Sequence, residues 1–327
     1  MTPTSAAPVG VGVVGATSVI ANHAVLPALA ASPFTRVVSV ASRDAGAAAE
    51  VAARFGAVRS AGDYGAVVHD PDVEAVYVPL PNGLHREWTE RAAAAGRHVL
   101  CEKPMAPSAD DARAMAKACE AAGVVLMEAY MTPFHPRAPL VGDLVRQGVI
   151  GRPRFARAEF GFPLADPVNH RWLPEMGGGA LLDVGIYCLS PLVEIGGEPM
   201  EVAARAVAAP SGVDATFSGW LTFPRGFTAS FACSFEAPER QLLEVTGTAA
   251  VVSVDWPFAG GAAGTRPWLA HLDGRVEEVP GPDGDPYLGM VEHFAAAVRG
   301  RVPLARPPEV SIALLALLDR LRAVATT

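Results

Sequence analysis

The sequence predicts an α/β chain of two domains: a doubly wound parallel sheet, then an α+β domain built on an open-faced, mainly antiparallel sheet. Three observations carry this. Up to Tyr130, short apolar runs alternate with alanine-rich helical stretches. From Glu201 onward, runs with a period of two take over. The 327 residues also exceed what one hydrophobic core usually organises. The expected division is 1–130 and 131–327.

Val9–Val14 is a short apolar strand, and Gly15-Ala16-Thr17-Ser18 turns into the helical stretch Val19–Ala31. A literal G-x-G-x-x-G falls at Gly10, Gly12 and Gly15. That register fails, because a phosphate-binding loop follows a strand and the segment before Gly10 is too polar and proline-rich to be one. The working loop therefore starts at Gly15 and runs through Ala16, Thr17, Ser18, Val19 and Ile20, with Thr17 where a second glycine would allow close approach. Arg36–Ala41 is the next strand and Ala45–Phe55 the next helix. Between them lie Ser42 and Arg43, donors suited to a 2′-phosphate, and Asp44, an acid suited to a 2′-hydroxyl. Two donors against one acid favour NADP, with NAD as the alternative.

Val73–Val78 is a further strand that ends in Pro79-Leu80-Pro81-Asn82-Gly83-Leu84-His85, an irregular turn at the same sheet edge. His85 is a candidate for the nicotinamide side of the site, or else a helix-capping or solvent-facing histidine. Helix Glu87–Ala95 leads to the buried run His98–Cys101 and then Glu102-Lys103-Pro104. Proline stops the ladder there. A lysine at the carboxyl end of such a strand sits where open α/β sheets bind ligands. Ser108 opens a helix that ends at Ala122, with Gly123 beyond it, and Val124–Met127 is a last buried strand.

After Tyr130 the rhythm breaks at Pro133 and His135-Pro136. A helix from about Ala138 to Gln147 precedes strand-like alternation over Arg154–Phe162. Gly177-Gly178-Gly179 opens the apolar helix Ala180–Ile195, with Asp183 and Tyr187 on one face and Gly185 between them to admit a flat ligand. Further on, Phe217, Leu221, Phe223, Phe227, Phe231 and Phe235 alternate with Ser218, Thr222, Thr228, Ser230 and Ser234 around a Pro224-Arg225-Gly226 turn. One sheet face is greasy; the other is small and polar and carries Trp220. Helices Tyr287–Val298 and Val310–Ala323 close the chain.

Half the residues are hydrophobic and the formal net charge is −8. No basic stripe suits nucleic acid or an anionic membrane, and no apolar run near the start spans a bilayer. Cys101, Cys119, Cys188 and Cys233 lack metal-ligand spacing and read as core residues of a reducing compartment; we expect no metal. The N-terminus lacks the basic region of a secretory signal, so the expected location is cytoplasmic.

The Gly15 turn, Glu102-Lys103-Pro104, Glu128-Ala129-Tyr130-Met131 with His135-Pro136, and Gly178 through Asp183-Val184-Gly185-Ile186-Tyr187 together resemble the Gfo/Idh/MocA oxidoreductase family. The family is named for glucose-fructose oxidoreductase and inositol dehydrogenase. The resemblance covers nearly the whole chain and implies a Rossmann domain that binds NADP or NAD, with Pro79 to Asn82, His85, Glu102 and Lys103 around the nicotinamide half. It implies a second domain for substrate binding and oligomerisation, and a homodimer or homotetramer joined through the open sheet. It also implies hydride transfer on a carbonyl/alcohol pair of a sugar or related cyclic polyol. Lys103 would be the catalytic lysine, Asp183 a substrate-orienting acid and Tyr187 the proton donor or acceptor. Tyrosine there, where many members carry histidine, is similar to the branch that includes dihydrodiol dehydrogenases, xylose dehydrogenases and sugar 3-ketoreductases. Pro133 stands where many relatives carry arginine, and Arg171 is the candidate to replace that substrate contact. Neither Lys103 nor Tyr187 reads as core. The alternative function is a ligand sensor that keeps the fold and the dinucleotide pocket without turnover. A sensor needs no proton relay, and here lysine, aspartate and tyrosine are all present.

Overall fold

Valine and alanine dominate the strands of the first sheet, which is what burial on both faces requires. The computed structural model describes residues 7–258 and 266–326. In it β1 (Val9–Val14), β2 (Thr35–Ala41), β3 (Arg59–Ala61), β4 (Ala75–Val78), β5 (His98–Glu102) and β6 (Leu126–Ala129) pair in parallel in the order β3-β2-β1-β4-β5-β6. The order reverses beside β1, the topological switch point of a doubly wound fold. Connections run through α1 (Leu26–Ala31), α2 (Ala45–Phe55), α3 (Tyr64–Val68), α4 (His85–Ala94) and α5 (Ala109–Ala122). The short β3 and α3 escaped the sequence reading, since Arg59-Ser60-Ala61 is exposed and has no apolar period.

Local chemistry places the helix ends. Asp44, Asp63 and Ser108 each accept a backbone N–H from the first turn of α2, α3 and α5, and Gly56 and Gly123 close α2 and α5 in the left-handed region. Gly10 and Gly12 lie within β1. A Cβ at Gly10 would fall 2.3 Å from the Asp72 carbonyl, and one at Gly12 would fall 2.4 Å from Val67. Their pattern thus serves packing, as the rejection of that register anticipated.

The second sheet has eight strands in the order β14-β13-β12-β11-β7-β10-β9-β8: β7 (Pro153–Gly161), β8 (Glu201–Ala208), β9 (Asp214–Thr222), β10 (Thr228–Ser234), β11 (Arg240–Gly247), β12 (Ala250–Asp255), β13 (Trp268–His271) and β14 (Val276–Glu278). Its pairs are antiparallel except β7 with β10. The aromatic face is buried as expected, through Phe217, Leu221, Phe223, Phe227, Phe231 and Phe235. On the other face one register row runs Ala203, Trp220, Ser230, Arg157, Glu244, Ser253 and Trp268, with both tryptophans about half exposed. Helices α6 (Pro139–Arg146) and α7 (Ile186–Gly196) pack together, and α7 also packs on β7 and β10. All four cysteines are free and buried.

The chain packs as two compact units, Met1–Met131 with Tyr287–Ile312 and Thr132–Pro286 with Ala313–Thr327. The segment Tyr287–Ile312, counted with residues 131–327 in the sequence division, therefore packs in the first unit. It includes most of α8 (Pro286–Val298) and the start of α9 (Pro308–Val324). Polar contacts hold it, one partly exposed and the others buried. Arg299 bonds Glu74 at 2.5 Å. Arg306 Nε and Ser311 Oγ donate to Glu128 Oε2 at 3.1 and 2.6 Å, and the Arg306 guanidinium lies 4.7 Å from the centre of the Tyr130 ring.

Glu128→Ala leaves Arg306 buried without its counter-charge, so unfolding in urea should show a loss of about 3–5 kcal/mol. Arg113→Ala removes only the solvent-exposed pair with Asp110 and should cost about 1 kcal/mol or less. Equal losses would refute the assignment of Glu128 as a structural anchor.

Candidate active site

In the first unit the candidate residues gather at the carboxyl ends of β1, β2, β4 and β5. Gly15 turns the chain out of β1 at φ +88°, and a Cβ there would meet Leu80 at 2.6 Å. The Gly15 loop and the Leu80 turn are thereby in contact. The amides of Gly15 and Ala16 both donate to the Ala41 carbonyl, at 2.9 and 2.8 Å, which ties the loop to the end of β2. Thr17 and Ser42 bring their hydroxyls to 3.3 Å. Val19 is exposed and with Ile20 begins the helix, and Asn22 donates to the carbonyls of Ala16 and Ser18. The turns Ala21–Val25 that follow are π-helical. Asp44 is committed to α2, its carboxylate accepting from Ala47 N at 3.1 Å, while Arg43 stands exposed beside it.

Lys103 follows β5 on a turn whose polar groups are met from inside. Glu102 is buried; its Oε1 accepts from the Tyr77 hydroxyl at 2.6 Å and its Oε2 from the Lys103 amide at 3.1 Å. Burial raises the Glu102 carboxyl above its ordinary range, against the pull of the Tyr77 hydrogen bond and the Lys103 charge. The Lys103–Pro104 peptide is cis, and Met105 N donates to Glu128 Oε1 at 2.8 Å.

His85 corrects a sequence expectation. It was a candidate for the nicotinamide side, yet it is 0 % exposed. Its Nδ1 lies 3.0 Å from the Pro104 carbonyl and its Nε2 2.7 Å from that of Leu80. The ring is a strut between the Pro79–Asn82 turn and the lysine turn, with no surface left for a ligand.

In the second unit Leu181–Gly185 is again π-helical and runs directly into α7. Asp183, in that segment, is buried and takes the Arg171 Nε at 2.7 Å on its Oδ2. The pair that the sequence proposed for substrate binding is thus brought together as an ion pair. The Tyr187 ring is only 6 % exposed and lies 5.5 Å from Phe160 and 6.1 Å from Phe258, so it belongs to an aromatic cluster, contrary to the reading of Tyr187 as outside the core. Gly185 is also reassigned. A Cβ there would meet Leu181 at 2.9 Å and the Cys233 sulfur at 3.2 Å, so its bareness seats the helix on β10 rather than admitting a ligand.

Comparison with known proteins decides the family. A family model described as "Oxidoreductase family, NAD-binding Rossmann fold" matches residues 9–130, and one for the GFO/IDH/MocA C-terminal domain matches residues 140–253. The chain belongs to the Gfo/Idh/MocA oxidoreductase family. It is 36 % identical over 319 residues to "D-xylose 1-dehydrogenase (NADP(+)) 2" of Haloferax volcanii, covering 97 % of each chain. It is 36 % identical to a mouse trans-1,2-dihydrobenzene-1,2-diol dehydrogenase, over 83 % of this chain and 80 % of that one. Among solved structures, a 3-ketoreductase from Actinomadura kijaniata in complex with NADP and TDP-benzene superposes with a TM-score of 0.91, at 32 % identity, covering 97 % and 98 % of the two chains.

In this family member the sequence reading missed the residues that act from behind. Tyr77 read as one more apolar strand position, and Glu128 as part of a motif with no partner. Asp214, which accepts from Leu181 N at 2.6 Å, lies far along the chain from the helix it touches. Their polarity inside apolar runs was the available signal.

Burial lowers the pKa of His85, and likewise of His98, His135 and His293. The folded protein therefore resists a proton that the unfolded chain accepts near the ordinary value of about 6.5. Their contribution is complete above that pH and is lost as pH falls through the depressed folded values. Urea unfolding at about pH 7.5 and 5.5 should show stability falling on acidification, with a shallower fall in His85→Gln by at most one proton's worth. An unchanged slope in His85→Gln would refute a neutral, buried His85.

Proposed function

We propose that this chain is an NADP-dependent oxidoreductase that interconverts a carbonyl and an alcohol on a sugar or related cyclic polyol. Lys103, Asp183 and Tyr187 carry its chemistry. The observation that supports this most is the ion-paired, buried Asp183 one helical turn before Tyr187, on a helix that follows a glycine turn. A sensor that only bound its ligand would have no use for such a proton-handling set.

The first unit fits the cofactor. Gly15 supplies the bare turn where a Cβ would collide, and Thr17, Ser18, Val19 and Ile20 lead into the helix start that suits a pyrophosphate. Asp44 is spent on capping α2, which leaves Arg43 to meet the adenosine ribose and favours a 2′-phosphate over a bare 2′-hydroxyl. The nicotinamide would supply or accept hydride. During reduction charge builds on the substrate oxygen, and Tyr187 donates its Oη proton there. Lys103 offers a positive charge and hydrogen bonds to the same oxygen, and Asp183, oriented by Arg171, holds a neighbouring hydroxyl. We assign the open sheet face with Trp220 and Trp268 to self-association as a dimer or tetramer, because a half-exposed tryptophan stands at two places along its polar row.

A panel of aldoses, polyols and ketosugars, headed by D-xylose, with NADP⁺ or NADPH tests the reading. Tyr187→Phe keeps the ring and removes the proton, so kcat should fall about 10²–10⁴-fold while NADPH binding survives. Lys103→Met should cost at least as much. Near-full turnover by Tyr187→Phe would place the acid elsewhere.

Cofactor choice has its own test. Nicotinamide fluorescence titration of Arg43→Ala should show NADPH binding weakened about tenfold or more, with NADH almost untouched, since a charge-assisted phosphate contact is worth about 1.5–3 kcal/mol. Equal weakening of both would overturn the NADP assignment.

A further inference from the structure

Three glycines in a row precede the helix that carries Asp183 and Tyr187, and the structure gives two of them separate work. A Cβ on Gly178 would fall 2.3 Å from the Arg171 carbonyl. That carbonyl also accepts the Gly179 amide at 3.0 Å. A Cβ on Gly179, itself at φ +108°, would fall 2.3 Å from Asp214 Oδ1. The missing side chains therefore let two groups come against the start of the helix, one from the Arg171 segment and one from β9.

Asp214 is the first residue of β9, and its Oδ2 accepts from Leu181 N at 2.6 Å. No side chain of the segment's own caps it: Ala180 precedes the π-helical stretch with no cap hydrogen bond. One of the orphan N–H groups that every helix start presents is met here from a strand more than thirty positions along the chain. Burial raises the Asp214 carboxyl, while the Leu181 N–H and the positive charge of Arg322 on α9 oppose that rise. The same stretch of chain braces the Arg171 side. Trp172 packs against Ala209, Val213 and Ala215, which flank Asp214, and Phe235 N donates to the Ala215 carbonyl at 2.8 Å.

We propose that Asp214 is a positioning residue: its carboxylate holds the start of the Leu181–Gly185 helix so that Asp183 meets Arg171 and Tyr187 is aimed correctly. It touches neither substrate nor cofactor. It acts through the main chain, and Gly179 is bare so that it can. This rests on the reading of Asp183 and Tyr187 as substrate-handling groups. A displacement of about 1 Å at such groups costs on the order of 10²-fold.

The test compares Asp214→Ala, Asp214→Asn and Tyr187→Phe in the full chain, with D-xylose and NADP⁺ as the assay pair. Asp214→Ala should lower kcat/KM about 100-fold with a raised KM for the sugar. Its NADPH affinity by nicotinamide fluorescence should stay within about twofold, because the groups that hold the cofactor are untouched. Asp214→Asn keeps an acceptor for Leu181 N and should recover most of the loss. Amide exchange across Leu181–Asp183 should quicken in the alanine variant and stay near wild type in the asparagine variant, whatever the substrate proves to be. A role limited to overall stability would lower the folded fraction and kcat together and leave KM alone, and that result overturns the proposal. Wild-type exchange and kinetics in Asp214→Ala overturn it as well. Turnover by Tyr187→Phe, or none by the wild type with any member of the sugar and polyol panel, instead sinks the functional reading, and the exchange data still decide whether Asp214 holds the helix.

Discussion

Main chain that leaves a sheet inside a protein must find hydrogen-bond partners there, and the turn after β5 is shaped by that requirement. The Glu102 carboxylate meets the Lys103 amide, His85 stands against the Pro104 carbonyl, and Glu128 accepts from the Met105 amide. Each of these is buried, and each is tied onward, Glu102 to Tyr77, His85 to the Leu80 carbonyl, and Glu128 to Arg306 and Ser311. Through them β4, β5, β6 and the Tyr287–Ile312 segment are fixed to one short turn. Lys103 has little freedom of main chain as a result, which suits a group that must meet a substrate oxygen repeatedly in one geometry.

The helix start in the second unit solves a related problem by removing atoms. At Gly178 and Gly179 a methyl group would overlap an oxygen at 2.3 Å, a separation no ordinary Cβ tolerates. The Arg171 carbonyl there accepts the Gly179 amide, and the other oxygen of the Asp214 carboxylate accepts that of Leu181. Glycine is costly inside regular structure, and a run of three before a helix makes sense where close approach of polar oxygen is the return. Gly15 shows the same logic with an apolar neighbour, the Leu80 side chain, which couples the first loop to the turn after β4.

Much of the fold was legible because periodicity and caps are local. Ala45–Phe55 was read to the residue, and the helix after Ser108 ended at Gly123 as its sequence demands. The alternation of Phe217 to Phe235 with serine and threonine gave the two faces of the second sheet. The candidate site was legible as a set of residue types, less so as a set of roles. His85 and Gly185 carried plausible chemical signals, yet a neighbouring carbonyl claims one and Cys233 crowds the other. Asp214 and Tyr77 gave no signal of spacing, since their partners come from β9 reaching a distant helix and β4 reaching β5. Long-range register, which no local pattern records, decides such contacts.

Those long-range contacts have a common energetic character. A carboxylate removed from water loses several kcal/mol of hydration, and its ion pairs or hydrogen bonds seldom more than recover it. Apolar side chains at Glu102, Glu128 and Asp214 would satisfy the packing around them at lower cost, but they would leave the amides of Lys103, Met105 and Leu181 unmet. The chain thus accepts buried acids at the places where its candidate reacting groups leave regular structure. Elsewhere the interior of β1 and β4 is valine, alanine and glycine with Tyr77 as the exception, and Tyr77 serves Glu102. Expensive groups concentrated behind Lys103 and Asp183 are what a fold spends on orientation rather than on stability, and a protein that only bound its ligand would have less reason to keep them.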